Sequence, residues 1–211
     1  MKLPHSQQGM NLIELMVVLT IVGILAMVAA PSMQDTLKLS GVRGHVRDFN
    51  ASLMYARGEA VSRNKRISMC PSADGESCDA ANNWSNGWII FIDDGAGGDF
   101  GDGEFDAAAN EQLLRVTDYS GNNSLVVTDG DSGSALDFLS WNYRGFTADD
   151  ARALATVCVS SEADDLRYAR GLLIERSGRV IGTADSDNDM VHESVFEDDN
   201  GNVSRAPLSC T

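Results

Sequence analysis

Gly9-Met10-Asn11-Leu12-Ile13-Glu14-Leu15-Met16-Val17-Val18-Leu19-Thr20 opens an apolar run that continues to Ala30, broken only by Asn11, Thr20 and a single charge, Glu14. As a helix with a rise of about 1.5 Å per residue, residues 10–30 span about 30 Å, the thickness of a bilayer core. A polar leader with one lysine, residues 1–9, precedes them. A secretory signal peptide has an apolar region of about 7–15 residues closed by a small-x-small cleavage site. Here the run is longer, and Ala26, Ala29 and Ala30 make only a loose version of that site. Lys2 before the run and the acidic bulk after it predict an N-in, C-out orientation. Glu14 is the anomaly: a carboxylate in an apolar span costs on the order of a few kcal/mol unless paired, and such residues are usually functional. The plainer alternative is a side chain that snorkels to the interface.

The chain has 211 residues, enough for one domain with an appendage. Hydrophobic residues make up 43% and charged residues 22%, which excludes wholesale disorder. The net charge of -15 means that nucleic-acid binding would need a local basic patch. Beyond Pro31, which should kink the helix, Val42, Val46, Phe49, Leu53, Ala56 and Ala60 recur at helical spacing. They predict an amphipathic stem over 31–65. Its other face is basic: residues 31–66 hold seven Lys/Arg against Asp35, Asp48 and Glu59, while residues 67–211 carry a net charge of -19. That face is either simply solvated or meets acidic neighbours or lipid headgroups. Short β-favouring runs follow at 66–70, 88–92, 112–116, 125–128, 138–143, 155–159 and 171–175, punctuated by Gly, Asn and Asp. The fold class expected is α+β: a long N-terminal helix, half transmembrane and half amphipathic, packed on an antiparallel β-rich head over 66–211.

The sequence from Gly9 to Leu15, the apolar helix after it and Pro31 resemble the prepilin signal of type IV pilins and type II secretion pseudopilins. Stretches 53–60, 64–66, 70–71, 84–93, 113–115 and 172–180, with a cysteine beside the C-terminus, resemble the GspH/FimT branch, which includes FimU-type minor pilins. The resemblance implies a type IV pilin-like fold and a cut between Gly9 and Met10 by a prepilin peptidase, followed by N-methylation of Met10. Most members have phenylalanine where this chain has Met10. Glu14 and Pro31 fall where the family keeps a glutamate and a proline. The implied partners are other minor and major pilins or pseudopilins, the peptidase and inner-membrane lipid. The implied location is the bacterial inner membrane, single-pass, with the head in the periplasm. A Met10 amine and a Glu14 carboxylate from neighbouring subunits would neutralise each other and set axial register.

Four cysteines suit an oxidising periplasm, and of three possible connectivities Cys70–Cys78 with Cys158–Cys210 leaves the fewest crossed loops. Zinc is disfavoured because no Cys-x-x-Cys is present and no histidine accompanies the cysteines. The acidic loop 93–104 fails the EF-hand pattern. Asp185-Ser186-Asp187-Asn188-Asp189 has better ligand spacing but lacks the following glycine and the twelfth-position glutamate. Solvated acidic loops are the preferred reading, so no metal or cofactor is expected. His5, His45 and His192 belong to no HExxH motif, and there is no GxSxG or Walker-type loop, so no active site is read. The alternative function is a DNA-binding minor pilin for natural transformation. Some FimT proteins carry Gly-Arg-x-Arg for this, whereas the chain reads Gly178-Arg179-Val180-Ile181. Arg176 and Arg179 remain as a possible DNA contact, but the missing arginine and the acidic head argue against it.

Overall fold

The computed structural model describes residues 11–95, 100–109, 111–197 and 203–210, the side chains of 28–32, 109, 149, 196, 197 and 204 excepted. Helix α1 (Leu12–Arg63) crosses two compact units, Met1–Leu39 and Ser40–Thr211. The first unit is described as helix alone from Leu12 onward. In the second unit, Val42, Phe49, Leu53, Ala56 and Ala60 are fully buried, whereas Val46, one step round the helix, is only half-buried. His45 and Ser52 complete the buried stripe, two polar residues that fall on its helical spacing. The Ser52 hydroxyl donates back to the Asp48 carbonyl at 3.1 Å, which satisfies it inside the helix. Asn64 ends the helix in the left-handed region (φ 55°), and the Lys65 N–H bonds the Ala60 carbonyl at 3.3 Å.

Among the described residues ten strands follow: β1 (Ile67–Pro71), β2 (Gly87–Ile92), β3 (Leu113–Asp118), β4 (Asn123–Asp129), β5 (Leu139–Trp141), β6 (Ala153–Val159), β7 (Arg170–Ile174), β8 (Val180–Gly182), β9 (Glu193–Glu197) and β10 (Val203–Pro207). They form two antiparallel four-stranded sheets, ordered β3-β2-β1-β5 and β4-β6-β7-β8, and a separate β9–β10 ladder. Strand β2 is buried along its whole length. Toward the helix, the Phe49 ring meets Trp84 and Trp88 edge-on at centroid distances of 5.9 and 5.1 Å. Cys70, Ile89 and Phe91 form a second cluster with Cys78, Phe105, Leu113 and Phe138. Gly87 has φ 131°, and a Cβ there would lie 2.3 Å from the Thr117 carbonyl oxygen; the β2–β3 approach requires glycine.

The seven strands expected from sequence are present with ends shifted by up to two residues, but they divide between two sheets. Strands β8, β9 and β10 were not expected. They mix charged, small and apolar residues, so they carry little periodic signal; their order comes from ladder pairing.

Candidate functional site

The N-terminal helix is the first element of the site. Glu14 lies in the first turn of α1, where the partial positive charge of the helix end favours a carboxylate. The large apolar side chains from Leu12 to Met27 are all exposed, on every side of the helix. A helix apolar all round requires lipid or other helices around it. The one hydroxyl among residues 12–27 is satisfied internally: Thr20 donates to the Met16 carbonyl at 2.8 Å. Among the described residues no helix is long and apolar enough to cross a membrane. The span expected at 10–30 includes residue 10 and side chains 28–30, which lie outside them. Gly9 and Met10 also lie outside the described residues. Pro31 falls within α1, its side chain undescribed.

Two disulfides tie the head. Cys70 on β1 is linked to Cys78 (Cα–Cα 5.6 Å), closing a small loop. Asp74 organises that loop, accepting from the N–H groups of Glu76 and Ser77 at 2.8 and 2.9 Å and from the Ser77 hydroxyl at 2.8 Å. These bonds hold its carboxyl well below the usual range, the Glu76 N–H contributing most. Cys158 on β6 is linked to Cys210 (Cα–Cα 5.9 Å), joining the chain after β10 to the second sheet beside Ala169 and Leu208.

Arg176 and Arg179 do not act as one exposed basic pair. The Arg176 guanidinium is half-buried and lies 3.2 Å from Asp131, which Arg152 also approaches at 3.5 Å; Arg179 is exposed beyond the turn at 175–178. The acidic segment is brought closer together than its spacing indicated. Carboxylate oxygens of Asp185, Asp187, Asp189 and Glu193 lie within 4.8 Å of one another, so they can converge on a cation. Glu193 was not foreseen, because it sits at the ninth position, not the twelfth, and comes in from β9. Each carboxylate already serves the loop itself: Asp185 accepts from Asn188 and Met190, Asp187 from Asp189, Asp189 from Val191, and Glu193 from Ser186.

Two further polar groups are structural. Asp93, fully buried at the end of β2, accepts from the Ser68 hydroxyl at 2.6 Å and from the N–H groups of Gly101 and Gly103 at 2.8 and 3.2 Å. It thereby fixes the far side of the acidic loop. His45 is 1% exposed and stacks on Tyr119 at 3.5 Å and Trp88 at 5.9 Å, and neither ring nitrogen has a hydrogen-bond partner. Burial lowers its pKa from 6.5 to about 4. Its position three residues after Val42 and four before Phe49 was the signal that it belongs to the core stripe.

The chain is thus a long N-terminal helix, apolar all round over residues 12–27, followed in sequence by antiparallel sheets. Residues 45–178 match the family model of the type II transport protein GspH, and residues 4–30 match the prokaryotic N-terminal methylation motif. The chain belongs to the GspH family. It is a minor pilin or pseudopilin, a structural subunit of a type II secretion pseudopilus or a type IV pilus, and such subunits assemble with other pilins. No curated protein matches it. Similar solved structures include the type IV minor pilin FimU of Pseudomonas aeruginosa, in two crystal forms. Each is 22% identical with a TM-score of 0.47, covering 66–67% of this chain and 86% and 92% of those chains. The minor pseudopilin EpsH from the Type 2 Secretion System of Vibrio cholerae is 10% identical with a TM-score of 0.45, covering 69% of this chain and 98% of that one.

Proposed function

We infer that the chain is a non-catalytic subunit held in the bacterial inner membrane by residues 10–30, with its head in the periplasm. A prepilin peptidase removes residues 1–9 by cutting between Gly9 and Met10, and the new Met10 amine is methylated. In the filament, the Glu14 carboxylate meets the Met10 amine of a neighbouring subunit. Both charges are costly in a low-dielectric helix bundle, so mutual neutralisation specifies axial register. The observation that carries this reading is the methylation motif at 4–30, within which the helix residues 12–27 expose an apolar surface broken only by Glu14 and a few small polar groups. Pro31 marks the exit from the bilayer, and the two disulfides suit the oxidising compartment of the head. The DNA-receptor alternative has less support, because Arg176 is engaged by Asp131 in a strongly acidic chain.

The test is a double measurement on Glu14→Ala. The variant should insert and lose its leader like wild type, since the peptidase reads the Gly9–Met10 junction, yet fail to join the filament, read by cross-linking to the other pilins. A variant that is cleaved and incorporates normally would remove the assembly role of Glu14. In parallel, Gly9→Leu should block the loss of nine residues seen by mass. Wild-type protein left uncut in the presence of the peptidase, or cut elsewhere, would overturn the processing scheme.

A further inference from the structure

Two stretches of the head face each other across a cavity of about 220 Å³, with Leu136, Phe138 and Ser140 on one side and Ala148, Ala151 and Ala153 on the other. The first stretch crosses from one sheet to the other. Leu136 donates its N–H to the Val127 carbonyl of β4 at 3.0 Å, and Leu139–Trp141 then pairs with β1 as β5. The second stretch leads back into β6, which Ala153 opens. A turn at 142–146 joins the two and is held from several sides. The Gly145 N–H bonds the Asn142 carbonyl at 2.8 Å, and from the helix the Arg57 guanidinium donates to the carbonyls of Gly145 at 2.9 Å and Ser177 at 3.2 Å. Gly178 (φ 73°) packs so closely that a Cβ there would sit 2.0 Å from the Gly145 carbonyl oxygen. The two walls are therefore fixed in place, and the short side chains of the alanines leave the gap between them open.

One group in this wall has no role in the fold. Ser140 is 8% exposed, and its hydroxyl has no hydrogen-bond partner. Its neighbour across the ladder, Ser68, gives its own hydroxyl to Asp93 at 2.6 Å and so does not serve it. The other polar side chains that line the cavity are committed: Thr147 donates to the Ala151 carbonyl at 2.8 Å, and Asp137 accepts from the Asn82 amide. A buried hydroxyl without a partner is costly, and beside a cavity it points to a group that enters and bonds it.

Apolar walls with one or two polar groups that fix orientation are the composition of a small-molecule site. An apolar cavity of about 150 Å³ takes benzene, so this one has room for a ring and one substituent. Among the described residues no lysine, arginine or histidine lines it, and the carboxylate of Asp137 repels an anion. Asp137 is exposed and already engaged, so it does not offset the cost of burying a cation either. The occupant that fits is uncharged and carries one hydrogen-bonding group. We propose that the cavity binds a small neutral ring compound of the phenol class, its hydroxyl bonded to that of Ser140 and its ring set between Phe138 and the alanines. The site depends on the head alone. Failure of the test below leaves the pilin-subunit reading standing, and failure of leader processing leaves this site standing. The same ring on a partner's tyrosine would also present its hydroxyl first, and the test separates the two.

The test uses the full chain in detergent micelles, carbon-13 labelled at its alanine methyls and dialysed against known free concentrations of each probe. The probes are p-cresol, toluene and a capped Gly-Tyr-Gly peptide. p-Cresol should shift the methyl signals of Ala148, Ala151 and Ala153 saturably, with half-saturation at about 0.1–1 mM, and leave Ala56 and Ala60 in the helix core unmoved. Ser140→Ala should weaken p-cresol by about three- to tenfold and toluene by less than about twofold, since only p-cresol uses the hydroxyl. Ala151→Leu fills the cavity and should abolish the shifts from both, and Ala148→Leu, which fills it from a neighbouring position, should do the same. Melting curves check that each variant is folded. Absence of a saturable shift up to about 10 mM p-cresol would overturn the proposal. So would an unchanged p-cresol affinity in folded Ser140→Ala, or unchanged shifts in a folded variant with the cavity filled. Tighter binding of the peptide than of p-cresol would overturn it too, and would make the cavity a docking point for a partner's tyrosine.

Discussion

Lowering the pH should loosen the packing of the helix on the head through one residue, His45. Its ring is 1% exposed, lies against Tyr119 and Trp88, and has no partner for either nitrogen. The folded protein therefore keeps it neutral, with a pKa near 4 instead of 6.5. Between those values the unfolded chain binds a proton that the folded chain refuses, so stability falls as pH falls. Above pH 6.5 both states are neutral and below pH 4 both are protonated, so the loss is confined to that window. At about 1.4 kcal/mol per pKa unit the full shift is worth at most about 3.5 kcal/mol, and most of it is spent by pH 4.5. Acidic residues and His192, itself lowered by burial and by the nearby Arg170 charge, titrate as well. The wild type is therefore compared with His45→Leu, which shares those groups and has a similar volume. Denaturant unfolding of the full chain in micelles, followed by tryptophan fluorescence, suits the question because Trp84, Trp88 and Trp141 are all buried. The variant should be about as stable as wild type at pH 7.5, since it removes stacking but also two unsatisfied nitrogens. The gap should widen in its favour by about 2 kcal/mol at pH 4.5. A gap that stays constant to within about 0.5 kcal/mol across that range would refute the argument.

The two disulfides should differ in value, because their sequence separations are 8 and 52. Chain entropy puts about 2.5 kcal/mol on Cys70–Cys78 and about 4 kcal/mol on Cys158–Cys210, so the double Cys158/Cys210→Ser variant should unfold at clearly lower denaturant than Cys70/Cys78→Ser. Equal losses would show that native-state packing, not loop closure, sets the effect. Gly178→Ala should cost about 2 kcal/mol or more, since it combines a left-handed φ with a clash against the Gly145 carbonyl. A change below about 0.5 kcal/mol in the same unfolding assay would mean that the turn at 142–146 is not held from that side.

The expected N-terminal span rests on length and apolarity, and the processing site on the family resemblance. Counting residues from Gly9 to Ala30 gives a helix length to set against bilayer thickness, and one charge at Glu14 is conspicuous in any conformation. The buried stripe of Val42, Phe49, Leu53, Ala56 and Ala60 was legible for the same reason: helical geometry brings residues three and four apart onto one face. Strand runs such as 88–92 announced themselves by composition. Which sheet each strand joins was not legible, because pairing is decided by partners tens of residues away, such as Ile67 with Ile92 and Leu154 with Leu173. The same holds for Glu193 among the aspartates of 185–189, for His45 between two aromatic rings, and for the turn at 142–146, which Arg57 secures from 88 residues away. Local periodicity reports how a segment can coil or extend; only the packed chain decides which distant donor, ring or carboxylate it meets.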